Sequence, residues 1–373
     1  MTVSRPRVSI YPTHYAHAAQ AVEQAFADHA PPMEGKTVLL KPNILGAMPP
    51  EKAVNTHPSI VAGAIEAAER RGAARALVGD NSGMRAYGSN EHAATVAGIR
   101  QVAGDRYVNL GASPVNVAVD SPFADRLAVS REVLECDVLV GLPKMKTHVA
   151  TAITGAVKNT YGHLVGGEKT LLHRLAQGPA NFAAAVLDVY RIRPPDLVVM
   201  DAVVAMEGQG PSGGRPRDVG RLLASTDAVA LDTVMAAMMG LEPRAVPYLR
   251  LAEAKGLGPA RLDAIDVSGP MEVIEDFKAP GIGMGFGTWV SRLATYLFVT
   301  QPVVRRSVCV KCGSCAKACP VEAIAMTPDG PVIDYAKCIS CFCCHEMCRY
   351  EAMDLSRRMR LLQGRWRKER AAP

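Results

Sequence analysis

Aromatic residues are scarce in this 373-residue chain, at 5%, with two tryptophans and seven phenylalanines. Its core must therefore be built from aliphatic and alanine side chains. Cysteine is nearly missing from the first 308 residues, where Cys136 stands alone, which excludes a disulfide framework over most of the chain. No uncharged apolar run approaches the ~18 residues of a membrane-crossing helix. Met1 to Arg7 lack the apolar core of a secretory signal. Both absences lead us to expect a soluble, cytoplasmic protein with no membrane span. Net charge is also lacking until the last residues. The chain carries +6, but Arg357 to Pro373 hold seven basic residues against one acid, so the rest is neutral in sum. Only Trp366 interrupts that tail as an aromatic, so it reads as a solvated helix end that steers an acidic redox partner, and no nucleic acid is expected.

What is present is ordinary globular usage, 49% hydrophobic and 21% charged, over a length that predicts two units around a sizeable core. From Arg7 to about Gly269, short β-branched runs alternate with longer Ala-rich stretches. Candidate strands are Val8 to Tyr11, Thr37 to Leu40, Ala76 to Gly79, Val138 to Leu142, Leu197 to Asp201 and Ala264 to Val267. Candidate helices are Ala16 to His29, Pro58 to Arg71, Glu91 to Val102, Phe182 to Tyr190 and Ala228 to Met239, the last with Asp227 as its N-cap. The alternation predicts an α/β fold, a mostly parallel sheet covered by helices. Cys136, in an apolar strand, reads as buried and inert.

In such sheets ligands bind beyond the carboxyl ends of strands, and the unusual residues of this chain sit there. Lys41-Pro42-Asn43 follows one strand, Asp80-Asn81-Ser82-Gly83 another, and Pro143-Lys144-Met145-Lys146-Thr147-His148 a third. Gly155 to His163 adds Lys158 and Asn159, and a strand ending at Asp201 runs into Glu207-Gly208-Gln209-Gly210-Pro211-Ser212-Gly213. Gly208, Gly210 and Gly213 satisfy G-x-G-x-x-G, but a dinucleotide fingerprint requires an opening helix. Here Gly214-Arg215-Pro216-Arg217 leads into a strand-like run. These glycines read as a ligand loop, with a plain turn as the alternative. The segments resemble the domain-of-unknown-function family 362, whose members carry Lys-Pro-Asn, Pro-Lys-x-Lys-x-His, Lys-Asn and Gly-x-Gly-Pro-x-x-Gly in this order. The resemblance covers most of residues 35–240. It supports a fold and a site more than a reaction.

Lys144, Lys146, His148 and Lys158 are the candidate catalytic set, able to hold a carboxylate, phosphate or enolate and to move a proton. Lys41, Asn43, Gly208, Gly210 and Gly213 are candidate cofactor-binding residues, the cofactor being unknown. The alternatives are solvated loop lysines, a helix-capping His148, and Asn43 and Asn159 as turn or cap residues.

Nine of the ten cysteines lie between Cys309 and Cys348. They read Cys309-x2-Cys312-x2-Cys315-x3-Cys319-Pro320, then Cys338-x2-Cys341-x2-Cys344-x3-Cys348-Arg349, with Cys343 as an extra. This is an internal repeat of cysteine loop, short helix and strand. Three thiolates two residues apart wrap one face of a cuboidal iron–sulfur cluster, and the fourth comes from the other half. Val308 to Ser356 thus resembles bacterial two-cluster [4Fe-4S] ferredoxins. The resemblance implies one cluster on Cys309, Cys312, Cys315 and Cys348 and a second on Cys338, Cys341, Cys344 and Cys319. A pair of zinc sites is the alternative. Arg349 replaces the family's second proline, either raising the potential of the first cluster or standing solvated, and Cys343 reads as a spare thiol.

The expected organisation is an α/β domain over 1–275, a Gly-rich linker with an amphipathic helix over 276–304, a small α+β two-cluster ferredoxin domain over 305–356, and a basic tail over 357–373. The function expected is an iron–sulfur oxidoreductase relaying single electrons to a small anionic substrate. Its electron donor or acceptor would be a ferredoxin, flavodoxin or reductase. The alternatives are an electron-transfer protein whose large domain docks a partner enzyme, and a cofactor-dependent isomerase or racemase loosely like nickel-dependent lactate racemase.

Overall fold

The computed structural model describes residues 5–82, 89–280, 298–348, 350 and 352–359. Among the described residues up to 280 there are eleven strands: β1 Arg7–Pro12, β2 Thr37–Pro42, β3 Arg75–Val78, β4 Pro114–Ala118, β5 Arg126–Ser130, β6 Val138–Leu142, β7 Lys144–His148, β8 Ala152–Thr154, β9 Leu197–Gln209, β10 Gly213–Ser225 and β11 Asp266–Ser268. Nine of them form one sheet in the order β11-β1-β10-β9-β6-β2-β3, with β7 and β8 attached beside β9. Its pairings are parallel at β1/β11, β2/β3, β2/β6, β6/β9 and β7/β9, and antiparallel at β1/β10, β9/β10 and β7/β8. The sheet is mostly parallel, and helices cover it.

Alternation along the strands builds two core layers. Val38, Leu40, Val138, Val140, Leu197 and Val199 face a layer containing Val22, Phe26, Ile60 and Val61, carried by helices Ala18–His29 and Pro58–Arg70. Leu39, Leu139, Val198 and Met200 face the other layer, with Phe182 and Val186 from helix Pro179–Ile192 and Val229 and Met235 from helix Ala228–Met238. Strands buried on both faces read as continuous apolar runs, as β6 does. Asp227 caps its helix as expected, accepting from Val229 N and Ala230 N at 2.9 Å.

Three features differ from the sequence reading. The helix expected over Glu91 to Val102 is two pieces, Ser89–Val96 and Ile99–Ala103, because Gly98 between them has φ 74°. Leu197 begins a strand that continues to Gln209 and turns back as an antiparallel hairpin with β10. The lysine motif forms strand β7 instead of a loop, paired to β8 and β9.

The cysteine block forms a small unit of two antiparallel pairs. β12 Phe298–Val304 pairs with β15 Met353–Met359, and β13 Ile324–Thr327 with β14 Gly330–Ile333. Short helices Ser314–Lys317 and Cys343–Glu346 follow the two cysteine loops. Of the Gly-rich linker and amphipathic helix expected over 276–304, residues 281–297 lie outside the described residues, as do Arg349 and the tail beyond Met359, while Phe298–Val304 is strand and not helix.

Candidate functional site

The carboxyl ends of the parallel strands β3, β2 and β6 lie beside the first part of β9, and two buried ion pairs form there. Lys41 at the end of β2 meets Asp80 just past β3 at 2.7 Å, with side chains 2% and 6% exposed. Asp80 also accepts from Ile44 N at 2.7 Å and Asn81 N at 2.9 Å, while Lys41 Nζ donates to Asn159 O at 2.7 Å. Lys144 meets Asp201 at 2.8 Å and donates to Tyr15 Oη at 2.8 Å. Tyr15 in turn donates to Asp201 Oδ1 at 3.1 Å and stacks on His57, centroids 3.6 Å apart. Burial holds both lysines below their ordinary pKa, against the pull of their carboxylates.

Beside the first pair lies a cavity of about 70 Å³. Lys146, Lys158, Asn43 and Asn159, all singled out from the sequence, line it together with Asp80 and Asn81. Lys146 Nζ and Asn43 Nδ2 both donate to Val54 O, at 2.7 and 3.0 Å. Lys158 lies over the rings of Tyr161 and Phe182, 5.6 and 5.7 Å from their centroids. The structure adds Thr154, Tyr161, Lys169 and His173 to this wall. Lys169 and His173 share the buried face of helix Glu168–Leu175, and Lys169 Nζ donates to Asn81 O. Their i, i+4 spacing was the available signal, but Lys and His among other charged residues read as solvent-facing.

Other candidates fall elsewhere. Lys41 does not line the cavity itself and reaches its wall through Asp80 and Asn159, and Lys144 is committed to Asp201 and Tyr15. His148 is buried, and its Nδ1 accepts from Ala150 N at 3.0 Å and Thr151 N at 3.3 Å, holding the turn into β8. Gly208, Gly210 and Gly213 lie in or beside the turn of the β9–β10 hairpin. A Cβ on Gly210 would collide with Thr147 O. Because a strand follows this turn, it is no dinucleotide-binding loop. Burial pushes the Cys136 thiol up to about 11, in keeping with an inert residue.

Asp232 fixes the helix Ala156–Asn159 that carries Lys158. Its carboxylate accepts from Ala156 N at 2.6 Å, Val157 N at 3.0 Å and Tyr248 Oη at 2.9 Å. Burial raises its pKa from 3.8 to about 7. The native state thus holds this proton more tightly than the unfolded chain, a contribution complete below the ordinary 3.8 and lost as pH rises through about 7. Relative to wild type, Asp232→Asn should therefore gain stability between those values, by up to about 4 kcal/mol. Unfolding in urea at a series of pH values measures this, and parallel pH profiles would refute it.

In the cysteine unit, Cys309, Cys312, Cys315 and Cys348 surround one common cavity, which also touches Met326, Pro331 and Tyr350. Cys341, Cys338, Cys315 and Cys319 all lie within electrostatic reach of Cys344. The two halves mirror each other: Ala323 N donates to Cys319 Sγ at 3.1 Å and Ala352 N to Cys348 Sγ at 3.2 Å. Amide donors of this kind stabilise cluster-bound thiolates. Among the described residues no three His, Cys, Asp or Glu side chains stand close enough to hold a single metal ion. Four thiols spaced around a void fit a cuboidal cluster instead. Cys343 is fully buried.

This unit touches the hairpin turn of the large sheet. His345, next to Cys344, sets Nδ1 2.6 Å from Met353 O and Nε2 3.0 Å from Gln209 O, and its own carbonyl accepts from Ser212 Oγ at 3.3 Å. A Cβ on Gly213 would stand 3.0 Å from His345 Cε1, so the imidazole packs closely on this glycine. Two residues on, Met347 lines the lysine cavity together with Pro211.

Residues 38–237 match the family described as Domain of unknown function (DUF362), and residues 302–325 match the 4Fe-4S binding domain. The C-terminal unit is thus an iron–sulfur-binding domain. A thylakoid-associated protein of Synechocystis sp. is 33% identical over 264 residues, covering 67% of this chain and 78% of that protein. Among solved structures, the lactate racemase apoprotein of Thermoanaerobacterium thermosaccharolyticum aligns with TM-score 0.41 at 9% identity, covering 63% of this chain and 57% of that one. A protein from Thermotoga maritima aligns with TM-score 0.41 at 13% identity, covering 62% and 60%. No helix among the described residues is long and apolar enough to cross a membrane.

Proposed function

We propose, for a chain that belongs to the DUF362 family, an iron–sulfur reductase in which two [4Fe-4S] clusters supply single electrons to a small anionic substrate. The observation that carries this reading is the shared cavity: Lys146, Lys158 and Lys169 line it from the large sheet, and Met347, between Cys344 and Cys348, lines it from the cysteine unit. Cys309, Cys312, Cys315 and Cys348 would hold one cluster and Cys338, Cys341, Cys344 and Cys319 the other. The lysines bind and orient the anion, and Lys158 and His173 stand at the wall to donate the accompanying proton. Met347 and Pro211 exclude water from one side. Cys312 is exposed whereas Cys344 is buried, which supports docking of a ferredoxin-, flavodoxin- or reductase-type donor at the Cys312 loop, away from the substrate.

Reoxidation of the chemically reduced, desalted protein by small anionic acceptors tests this. Lys158→Gln should slow the reaction about tenfold or more, as expected for loss of one charged contact to the bound anion, with its iron content and reduced spectrum unchanged. Equal rates in variant and wild type would sink the cavity as the reaction site.

A further inference from the structure

We infer that the outer face of the first cysteine loop, from Arg305 to Lys317, docks an acidic electron-carrier protein. The inference rests on the reading of the Cys312 loop as the side where the donor binds, names the chemistry of that donor, and does not depend on the lysine-lined cavity.

Exposure comes first. The cavity shared by Cys309, Cys312, Cys315 and Cys348 is walled in part by Val310, Met326 and Tyr350, which are 55%, 40% and 40% exposed. Val308, one residue before Cys309, is exposed too. Apolar side chains left in water and grouped at one site mark an interaction surface. A carrier seated on them stands one side chain from the thiolates, and Cys312 is itself exposed.

The internal repeat supplies a comparison for the charge. Cys309 of the first half corresponds to Cys338 of the second, and by the same offset Arg305 corresponds to Asp334, Lys311 to Ser340 and Lys317 to Glu346. The first loop carries four bases, Arg305, Arg306, Lys311 and Lys317, and no acid, whereas the second carries Lys337 against Asp334 and Glu346. The second half meets the large sheet, where His345 contacts Gln209 O and Ser212 Oγ. The basic half is thus the one with the exposed apolar residues.

Local contacts leave these charges available. Arg306 donates to Asp329 O at 2.7 Å and Lys311 to Pro328 O at 2.6 Å, so both reach the β13–β14 turn and are held there by carbonyls, which carry no net charge. Arg305 has Asp354 at 3.7 Å, with both side chains well exposed, a pair weakened by water. Asp354 and Asp329, the acids that these contacts bring to the loop, leave it net positive.

The occupant must supply acids. Residues 281–297 and 360–373 hold one acid between them, Glu369, and a second copy of this chain carries +6. Neither complements the face, whereas a separate acidic protein does. Opposite charge around an apolar centre steers encounter and fixes orientation, and redox contacts of this kind are small and transient.

The test is calorimetric titration of the anaerobically purified full-length protein with two oxidised acidic carriers, a plant-type ferredoxin and a flavodoxin, and with cytochrome c as the basic carrier. Both acidic carriers should bind. Raising salt from about 0.01 M to about 1 M, which shortens the screening length from about 30 to about 3 Å, should weaken them about tenfold or more. Lys311→Glu and Lys317→Glu should each weaken low-salt binding about fivefold or more, and Val310→Ser about threefold or more at either salt, with iron content unchanged. Lys317 is exposed and stands outside the cavity wall, so its variant serves even if the other two disturb the cluster. Failure of both acidic carriers to bind, equal affinity for cytochrome c, or unchanged binding in Lys317→Glu would overturn the inference. Self-association in sedimentation that Val310→Ser abolishes would give the face to a second copy and overturn it as well. If the carriers bind here but the reduced protein passes no electron to any anionic acceptor, the docking face stands and the reductase reading falls.

Discussion

Replacing Asp201 by alanine should cost about 3–5 kcal/mol of stability, the range for breaking one partner out of a buried ion pair. Its side chain and that of Lys144 are 0% and 1% exposed, so neither group can turn to water. Asp201 also accepts from His57 N at 2.9 Å and Val203 N at 3.2 Å, besides Tyr15 Oη. One carboxylate thus ties β7, β9, the Tyr15 turn and the start of helix Pro58–Arg70. The double variant Lys144→Met with Asp201→Leu should recover part of the loss, because no lone charge remains buried. Full recovery is not expected, since the Tyr15 and His57 donors stay unpaired at about 1–3 kcal/mol each. Urea unfolding of both variants by circular dichroism measures this. A loss below about 1 kcal/mol for Asp201→Ala would show that the pair behaves like an exposed one.

On the proposed two-cluster assignment, Cys312→Ala and Cys341→Ala should each remove about four of about eight irons, because each would delete one ligand of a different [4Fe-4S] cluster. The exposed Cys312 and the half-buried Cys341 belong to different halves of the repeat. The electron paramagnetic resonance spectrum of each reduced variant should retain the signal of the surviving cluster. Cys343→Ala should leave iron unchanged. Unchanged iron in both ligand variants would make the assignment wrong, and complete iron loss in either would show that one cluster cannot form without the other.

The layered α/β fold and the cysteine repeat were legible because their signals are local. Val38-Leu39-Leu40 and Val138-Leu139-Val140 announce doubly covered strands, and eight cysteines at fixed spacing announce two loops of ligands. The site was legible only in part. Asn43, Lys146 and Lys158 do line one cavity, because the segment after β2, strand β7 and helix Ala156–Asn159 place them there. Lys144 stands in the same motif yet pairs with Asp201 across β9, because the register shifts between Lys144 and Lys146. Such a shift leaves no mark in composition. Lys169 and Thr154 were missed for the opposite reason: a lysine on a polar helix and a threonine in a short strand look ordinary until packing buries them. The meeting of Met347 with Pro211 depends on contacts between segments 136 residues apart in sequence, at His345 and Gln209, which no local pattern encodes.

The account turns on electrons passing from the cysteine unit to a molecule in the lysine-lined cavity. One anaerobic sample tests it most directly. Iron and sulfide are counted, the protein is reduced and desalted, and its paramagnetic signal is followed on mixing with a panel of small anionic acceptors. The account predicts about eight irons and loss of the signal with at least one acceptor, slowed in Lys158→Gln. A signal that survives every acceptor, or that decays equally fast in the variant, would contradict it and leave an electron carrier whose large domain serves a partner.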